Sequence, residues 1–330
     1  TAGAAYTKEA IMYPLMIASI GMGASIIGSF LVRPSGDNLA AALNRGTWTA
    51  AGLTVIGVGI LTPVMFGDIE GVENPWGFFI AVVVGLLVGL SIGRISEWFT
   101  SDHHKTVKEI ARQAETGPAT VMLAGIAEGK KSAAFSVIVV ALGMGAAHWA
   151  ADWAVEGAGI YGVAIAAIGV LATLGITVSV DAYGPIADNA GGIAEMAELP
   201  PEVREATDQL DALGNTTAAV AKGFAIASAA VTALALFFTF AQAVGVTGFD
   251  ILDIKVAVGL FLGAMFPYLF ASLTIQAVGR AAFQMIEEVR RQFRDIPGLR
   301  DGEPGVRPEN AKSVDISTSL LYTTPSPRDL

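Results

Sequence analysis

At residues 159–196 the chain reads GIYGVAIAAIGVLATLGITVSVDAYGPIADNAGGIAEM. The first part, residues 159–180, contains no charged side chain. As a helix it is long enough to cross a bilayer core, which is about 30 Å thick and needs about 20 apolar residues. The second part carries three acids at regular spacing, Asp181, Asp188 and Glu195. We therefore predict a membrane-spanning helix that ends in a polar, acidic segment.

The composition of the whole chain indicates a membrane protein. Of its 330 residues, 53% are hydrophobic and 15% are charged, and the mean hydropathy is +0.58. Soluble globular domains carry more charge and less apolar surface. The chain has no cysteine, which excludes disulfides and thiol catalysis. The net charge of -10 argues against nucleic acid as a partner, because there is no basic surface to neutralise phosphates.

Seven segments are long and apolar enough to span a lipid bilayer. Helices satisfy their own backbone hydrogen bonds in lipid, so we predict an all-α, polytopic transmembrane helical bundle. Glycine and alanine are frequent in these segments, which favours close helix–helix approach. The predicted spans are 11–32, 47–66, 77–96, 132–150, 159–181, 216–245 and 254–279.

The distribution of Lys and Arg predicts the orientation of the bundle. Basic residues follow the first, third, fifth and seventh spans, whereas the alternate loops contain only Lys255. Cytoplasmic loops are the ones enriched in Lys and Arg. The segment from Asp181 to Met196 is therefore expected at the cytoplasmic mouth of the fifth span.

The acids of the opening segment are candidate site residues. On a helix, the seven-residue spacing places Asp181, Asp188 and Glu195 on one stripe. Pro185 removes a backbone donor, so we expect the helix to be distorted around Gly184 and Pro185. Acids at membrane depth generally face a protein interior or a water-filled cavity, which favours a functional role. The alternative, strongest for Glu195, is a helix end with ordinary solvated carboxylates.

A second polar stripe lies at the start of the sixth span. Its members follow steps of three and four residues and so share one helix face: Asp208, Asp211, Asn215, Ala218 and Lys222. Oxygen ligands alone favour Mg²⁺ or an alkali ion, and a lysine favours a nearby anion. Asp208 could instead serve only as a helix cap. On the residues alone, a cation-coupled transporter fits as well as a metal-dependent hydrolase.

Several long motifs resemble the membrane-bound, ion-pumping pyrophosphatases. The resemblance covers nearly all of residues 11–319 and is carried by DAYGPIADNAGGIAEM, TDQLDALGNTTAAVAKGFAIASAA, ISEWFTSDHH, FPYLFASLTIQAVGRAA and MIEEVRRQFRDIPGL. It implies seven spans of a sixteen-helix fold, and hydrolysis of pyrophosphate at the cytoplasmic side coupled to movement of H⁺ or Na⁺. It also implies Mg²⁺ and K⁺ as cofactors and a homodimer. The expected location is a prokaryotic cell membrane, or else a vacuolar or acidic-organelle membrane.

The resemblance assigns roles to individual residues. Asp188 falls on the family's metal-binding aspartate, which we expect to be catalytic, and Asn215 falls on its partner asparagine. Ala218 and Ala221 occupy positions that distinguish potassium-dependent members from potassium-independent ones. A lysine ammonium at position 218 would stand in for K⁺, whereas a methyl group leaves room for the ion. The resemblance therefore implies that K⁺ stimulates hydrolysis.

The same resemblance implies that the chain is an internal fragment. It begins without Met, and it has no counterpart of the aspartate-dense segments that complete the family's site. We expect the fragment alone to be inactive. The last residues, 320–330, read LLYTTPSPRDL and look like a translated sequencing adapter, so we predict a non-native tail there. A secondary transporter or channel without hydrolytic activity stays the alternative function.

Overall fold

The computed structural model describes residues 7–33, 39–246 and 248–323, and all regular structure in those ranges is helical. This confirms the predicted all-α class. In the described ranges the α-helices are α1 (Thr7–Phe30), α2 (Leu39–Phe66), α3 (Trp76–Thr100), α4 (Lys105–Arg112), α5 (Pro118–Ala154), α6 (Gly159–Leu171), α7 (Leu174–Met196), α8 (Pro201–Ala243), α9 (Ile254–Asp295) and α10 (Asn310–Thr323).

Most of these helices are long and apolar enough to cross a membrane. Six of the described helices meet that requirement alone, and α6 with α7 can form a seventh span that is bent by 43°. The chain is thus an integral, multi-pass membrane protein. The bend lies at Ala172 and Thr173, between the two helices. Helix α7 continues through Gly184 and Pro185, so the distortion expected there does not end the helix.

Local sequence explains where several helices begin. The backbone N–H of Trp76 donates to the side chain of Asn74, just before α3. Pro118 opens α5 and follows Gly117, whose φ of 125° suits a residue without a side chain. The carboxylate of Asp253 accepts from the N–H of Lys255 and caps α9. Each signal satisfies or removes a backbone donor that the first helical turn leaves unpaired.

Small residues allow the helices of the first compact unit, which runs to Gly245, to pack backbone to backbone. A Cβ atom on Gly85 of α3 would lie 2.0 Å from the carbonyl oxygen of Ala166 in α6. A Cβ atom on Gly169 would lie 2.2 Å from the carbonyl oxygen of Val82. A side chain larger than hydrogen cannot fit at either position, as expected for membrane helices that associate through small residues.

The second compact unit begins at Val246 and contains α9 and α10. The side-chain N–H group of Gln292 donates to Ser313 Oγ, and Arg291 pairs with Glu288 and Glu309. These contacts fasten α10 to the end of α9. Helix α10 continues to Thr323 and so overlaps the predicted tail, whose residues 324–330 lie outside the described residues.

Candidate functional site

The two polar stripes of the sequence lie on one helical hairpin, formed by α7 and α8. The N–H of Leu199 donates to the carbonyl of Ala194, and the N–H of Glu198 donates to that of Glu195. Glu198 has a φ of 52°, the left-handed conformation that ends many helices. Pro200 and Pro201 follow and start α8. The chain therefore reverses direction within a few residues, and α8 packs back along α7.

The two helices cross at a pair of glycines. A Cβ atom on Gly184 would lie 2.9 Å from the carbonyl oxygen of Gly214. Next to the crossing, the hydroxyl of Tyr183 donates to the carbonyl of Leu210 at 3.0 Å. Because Gly184 and Gly214 are both buried, no side chain separates the two backbones here. The polar residues on either side of the crossing are held on closely packed helices.

Arg204 joins the C-terminal end of α7 to α8. Its guanidinium donates to the carbonyl of Gly191 at 2.9 Å and pairs with Glu195 Oε2 at 2.7 Å. It also pairs with Asp208 Oδ1, one helical turn along α8, at 3.1 Å. We call these three contacts the Arg204 bridge. They place Glu195 and Asp208, two of the predicted site residues, around one cation.

The interpretation of Asp208 as a helix cap is wrong. Helix α8 begins at Pro201, so Asp208 lies in its third turn and cannot accept from the first-turn N–H groups. The sequence did not single out Arg204 as a site residue. The sequence does contain a signal for this pair, because Arg204 and Asp208 are four residues apart. Opposite charges at that spacing are neighbours on a helix.

Asp188 has no partner of its own. Its side chain is exposed, and it makes no hydrogen bond or ion pair with any described residue. Asp181, two turns earlier, is half-buried. The structure thus carries Asp188 and Asn215 on adjacent helices without direct contact. An exposed carboxylate with no partner remains free to bind a cation.

Asp211 and Asn215 form a pair on α8. The side-chain N–H group of Asn215 donates to Asp211 Oδ2 at 3.1 Å. The other carboxylate oxygen, Asp211 Oδ1, is buried and has no hydrogen-bond partner among the described residues. Because the amide N–H group of Asn215 is engaged by Asp211, its oxygen is the end that stays available as a ligand.

The remaining residues of the second stripe continue along α8. Ala218 is half-buried and Ala221 is buried, while Lys222 is exposed. The space next to Ala218 is therefore bounded by a methyl group rather than by a charge. Lys222 places a cation one helical turn farther along.

The oxygen donors of the hairpin fit Mg²⁺ by type but not in number. Carboxylate and amide oxygens are the ligands that Mg²⁺ prefers. However, in the part of the chain that the structure describes, no three Asp, Glu or His side chains are grouped so that they could hold a metal ion. Asp188, Asp211 and Asn215 therefore do not make a complete metal site by themselves within the described residues.

A cavity of about 110 Å³ is lined in part by the hairpin. Its wall includes Thr173 and Thr177 beside the bend, and Thr216 and Thr217 of α8. The ion pair of Arg94 with Glu97 also borders it. The cavity could not be predicted from the sequence, because its wall combines residues of α2 and α3 with residues of α7 and α8, which lie far away along the chain.

Comparisons with known proteins identify relatives over almost the whole chain. A family model described as inorganic H⁺ pyrophosphatase matches residues 2–322. A putative K⁺-stimulated pyrophosphate-energized sodium pump of Clostridium tetani is 49% identical over 94% of this chain and 45% of its own length. A similarly named pump of Bacteroides thetaiotaomicron is 42% identical over 94% of this chain and 46% of its own length. A K⁺-insensitive pyrophosphate-energized proton pump of Methanosarcina mazei is 41% identical over 94% of this chain and 46% of its own length. The chain therefore spans less than half the length of these relatives.

Proposed function

This chain belongs to the family of inorganic H⁺ pyrophosphatases, and from that premise we propose that it is part of a pyrophosphate-energized ion pump. The whole protein hydrolyses inorganic pyrophosphate to phosphate at the cytoplasmic side and moves H⁺ or Na⁺ across the membrane. The structural observation that carries the proposal is the free Asp188 carboxylate on the same hairpin as the Asp211–Asn215 pair.

In this proposal Asp188 and the amide oxygen of Asn215 hold Mg²⁺. Mg²⁺ held by these two residues would supply positive charge against pyrophosphate and would acidify a water for attack on phosphorus. Asp211 keeps the Asn215 amide turned so that its oxygen points away from Asp211. The remaining ligands belong to the parts of the relatives that this chain does not match, so the fragment alone is inactive.

Ala218 and Ala221 support K⁺ stimulation. Relatives named as K⁺-stimulated and relatives named as K⁺-insensitive both match this chain, so the relatives alone do not decide the question. A half-buried methyl group at 218 leaves room for a K⁺ ion near the substrate, where a lysine would place its own charge instead. Lys222 lies one turn farther along, where its ammonium can attract an anion. A homodimer is proposed from the family resemblance alone.

The test is phosphate release from pyrophosphate by membranes that contain the whole protein. We expect release that requires Mg²⁺ and rises when K⁺ is added. In inverted vesicles, a pH-sensitive dye and a Na⁺ uptake assay then identify the transported ion. Absence of phosphate release from a well-expressed, intact protein would contradict the proposal and favour a secondary transporter or channel.

A further inference from the structure

We propose that Arg204 is a positioning residue that fixes Asp188 for metal binding by fastening the end of α7 to α8. The inference rests on the proposed function and deepens it. It assigns Glu195 and Asp208 to holding this arginine rather than to binding the metal. The proposal is carried by the contacts of the Arg204 bridge with Gly191, Glu195 and Asp208.

The arrangement of Arg204 differs from that of other paired arginines in the first unit. Arg94 pairs with Glu97, and Arg112 pairs with Glu109, each within one helical turn of the same helix. Such exposed pairs contribute little to the arrangement of a bundle. Arg204 instead reaches a neighbouring helix, and its side chain is 35% exposed compared with 53% for Arg94 and 67% for Arg112.

Asp188 depends on the backbone that carries it. Because its carboxylate makes no hydrogen bond or ion pair with any described residue, its position follows from how α7 is held. On either side of Asp188 along α7, one residue makes a hydrogen bond to α8. The hydroxyl of Tyr183 bonds to Leu210 on one side, and the carbonyl of Gly191 bonds to Arg204 on the other. Loss of the second contact would free the turn that follows Asp188.

The charges of the bridge also favour this role. Without the guanidinium, Glu195 and Asp208 would be two like charges on neighbouring helices, and their repulsion would push the helix ends apart. Arg204 replaces this repulsion by attraction to both acids. Its planar fork can serve several acceptors at once, which a lysine ammonium on a shorter stem does less well.

The first test compares Arg204→Gln with Arg112→Gln in the whole protein. Arg112 is the matched control, because it pairs only within its own helix. For Arg204→Gln we expect the Mg²⁺ concentration for half-maximal hydrolysis to rise about tenfold, the lower end of the effect of an outer-shell partner on metal affinity. The maximal rate at saturating Mg²⁺ should stay within about twofold of the unchanged protein, since Arg204 acts on ligand position rather than on the reaction. Arg204→Lys should recover part of the shift.

A second measurement does not depend on hydrolysis. The chain has no cysteine, so nitroxide labels can be placed at Ile193→Cys and Glu205→Cys, both exposed positions on either side of the hairpin turn. Cysteines elsewhere in the whole protein are replaced by serine. We expect the distribution of distances between the labels to broaden in Arg204→Gln and to stay unchanged in Arg112→Gln.

The two measurements separate failure of the inference from failure of the proposed function. An unchanged label distribution in Arg204→Gln overturns the inference, and so does an unchanged Mg²⁺ requirement. If the unchanged protein releases no phosphate, the proposed function fails, and the labels still decide whether Arg204 fastens the hairpin. Broadening together with a raised Mg²⁺ requirement supports the inference.

Discussion

Gly184 of α7 and Gly214 of α8 approach so closely that a Cβ atom on Gly214 would lie 2.8 Å from the Cα atom of Gly184. This is closer than van der Waals contact between carbon atoms, which lies at about 3.5–4.0 Å. The crossing therefore sets the separation of the two helices that carry Asp188 and Asn215. Any side chain at either glycine must move one helix away from the other.

We expect Gly214→Ala to destabilise the protein by about 1–3 kcal/mol, because an added methyl group overpacks the crossing. Gly192→Ala is the control, since a Cβ atom there would have nothing within 4 Å. The measurement is the temperature at which membranes containing each variant lose pyrophosphate hydrolysis. Equal inactivation temperatures for Gly214→Ala and the unchanged protein would show that the crossing is not tightly packed.

The fold class and the shared helix face of two candidate residues could be predicted from the sequence. Apolar length alone predicts the spanning helices, and the four-residue spacing of Asp211 and Asn215 already places them on one face of α8. The Arg204 bridge and the bend at Ala172 were not predicted, because both depend on contacts between helices. Pro185 lies inside α7, so the helix does not end at the residue where local propensity favours a break.

Asp188→Asn is expected to lower hydrolysis at limiting Mg²⁺ by at least about a hundredfold, the upper end of the effect of losing an outer-shell partner. The amide has nearly the same shape as the carboxylate but carries no charge to hold the ion. Asp68→Asn, an exposed acid in the α2–α3 loop, is the control and should leave the Mg²⁺ dependence unchanged. Full activity of Asp188→Asn with an unchanged Mg²⁺ requirement would remove Asp188 from the site.

Asp211→Ala tests whether Asp211 orients the Asn215 amide. Removal of the acceptor frees the amide to rotate, so we expect the Mg²⁺ concentration for half-maximal hydrolysis to rise about tenfold. Asp211→Asn is the matched control, because its side-chain oxygen can still accept from Asn215 and the shift should be smaller. Titration of hydrolysis against Mg²⁺ distinguishes the two. Identical curves for the alanine and asparagine variants would argue against an orienting role.

Ala218→Lys is expected to abolish the stimulation by K⁺ while hydrolysis continues in its absence. The introduced ammonium would occupy the space next to the half-buried methyl group and supply the positive charge that K⁺ otherwise provides there. Ala218→Gly is the control, since it leaves that space open and should keep the response to K⁺. The measurement is phosphate release at saturating Mg²⁺ over a series of K⁺ concentrations, with ionic strength held constant by a large organic cation. If Ala218→Lys remains as strongly stimulated by K⁺ as the unchanged protein, the ion binds elsewhere and position 218 does not determine the response.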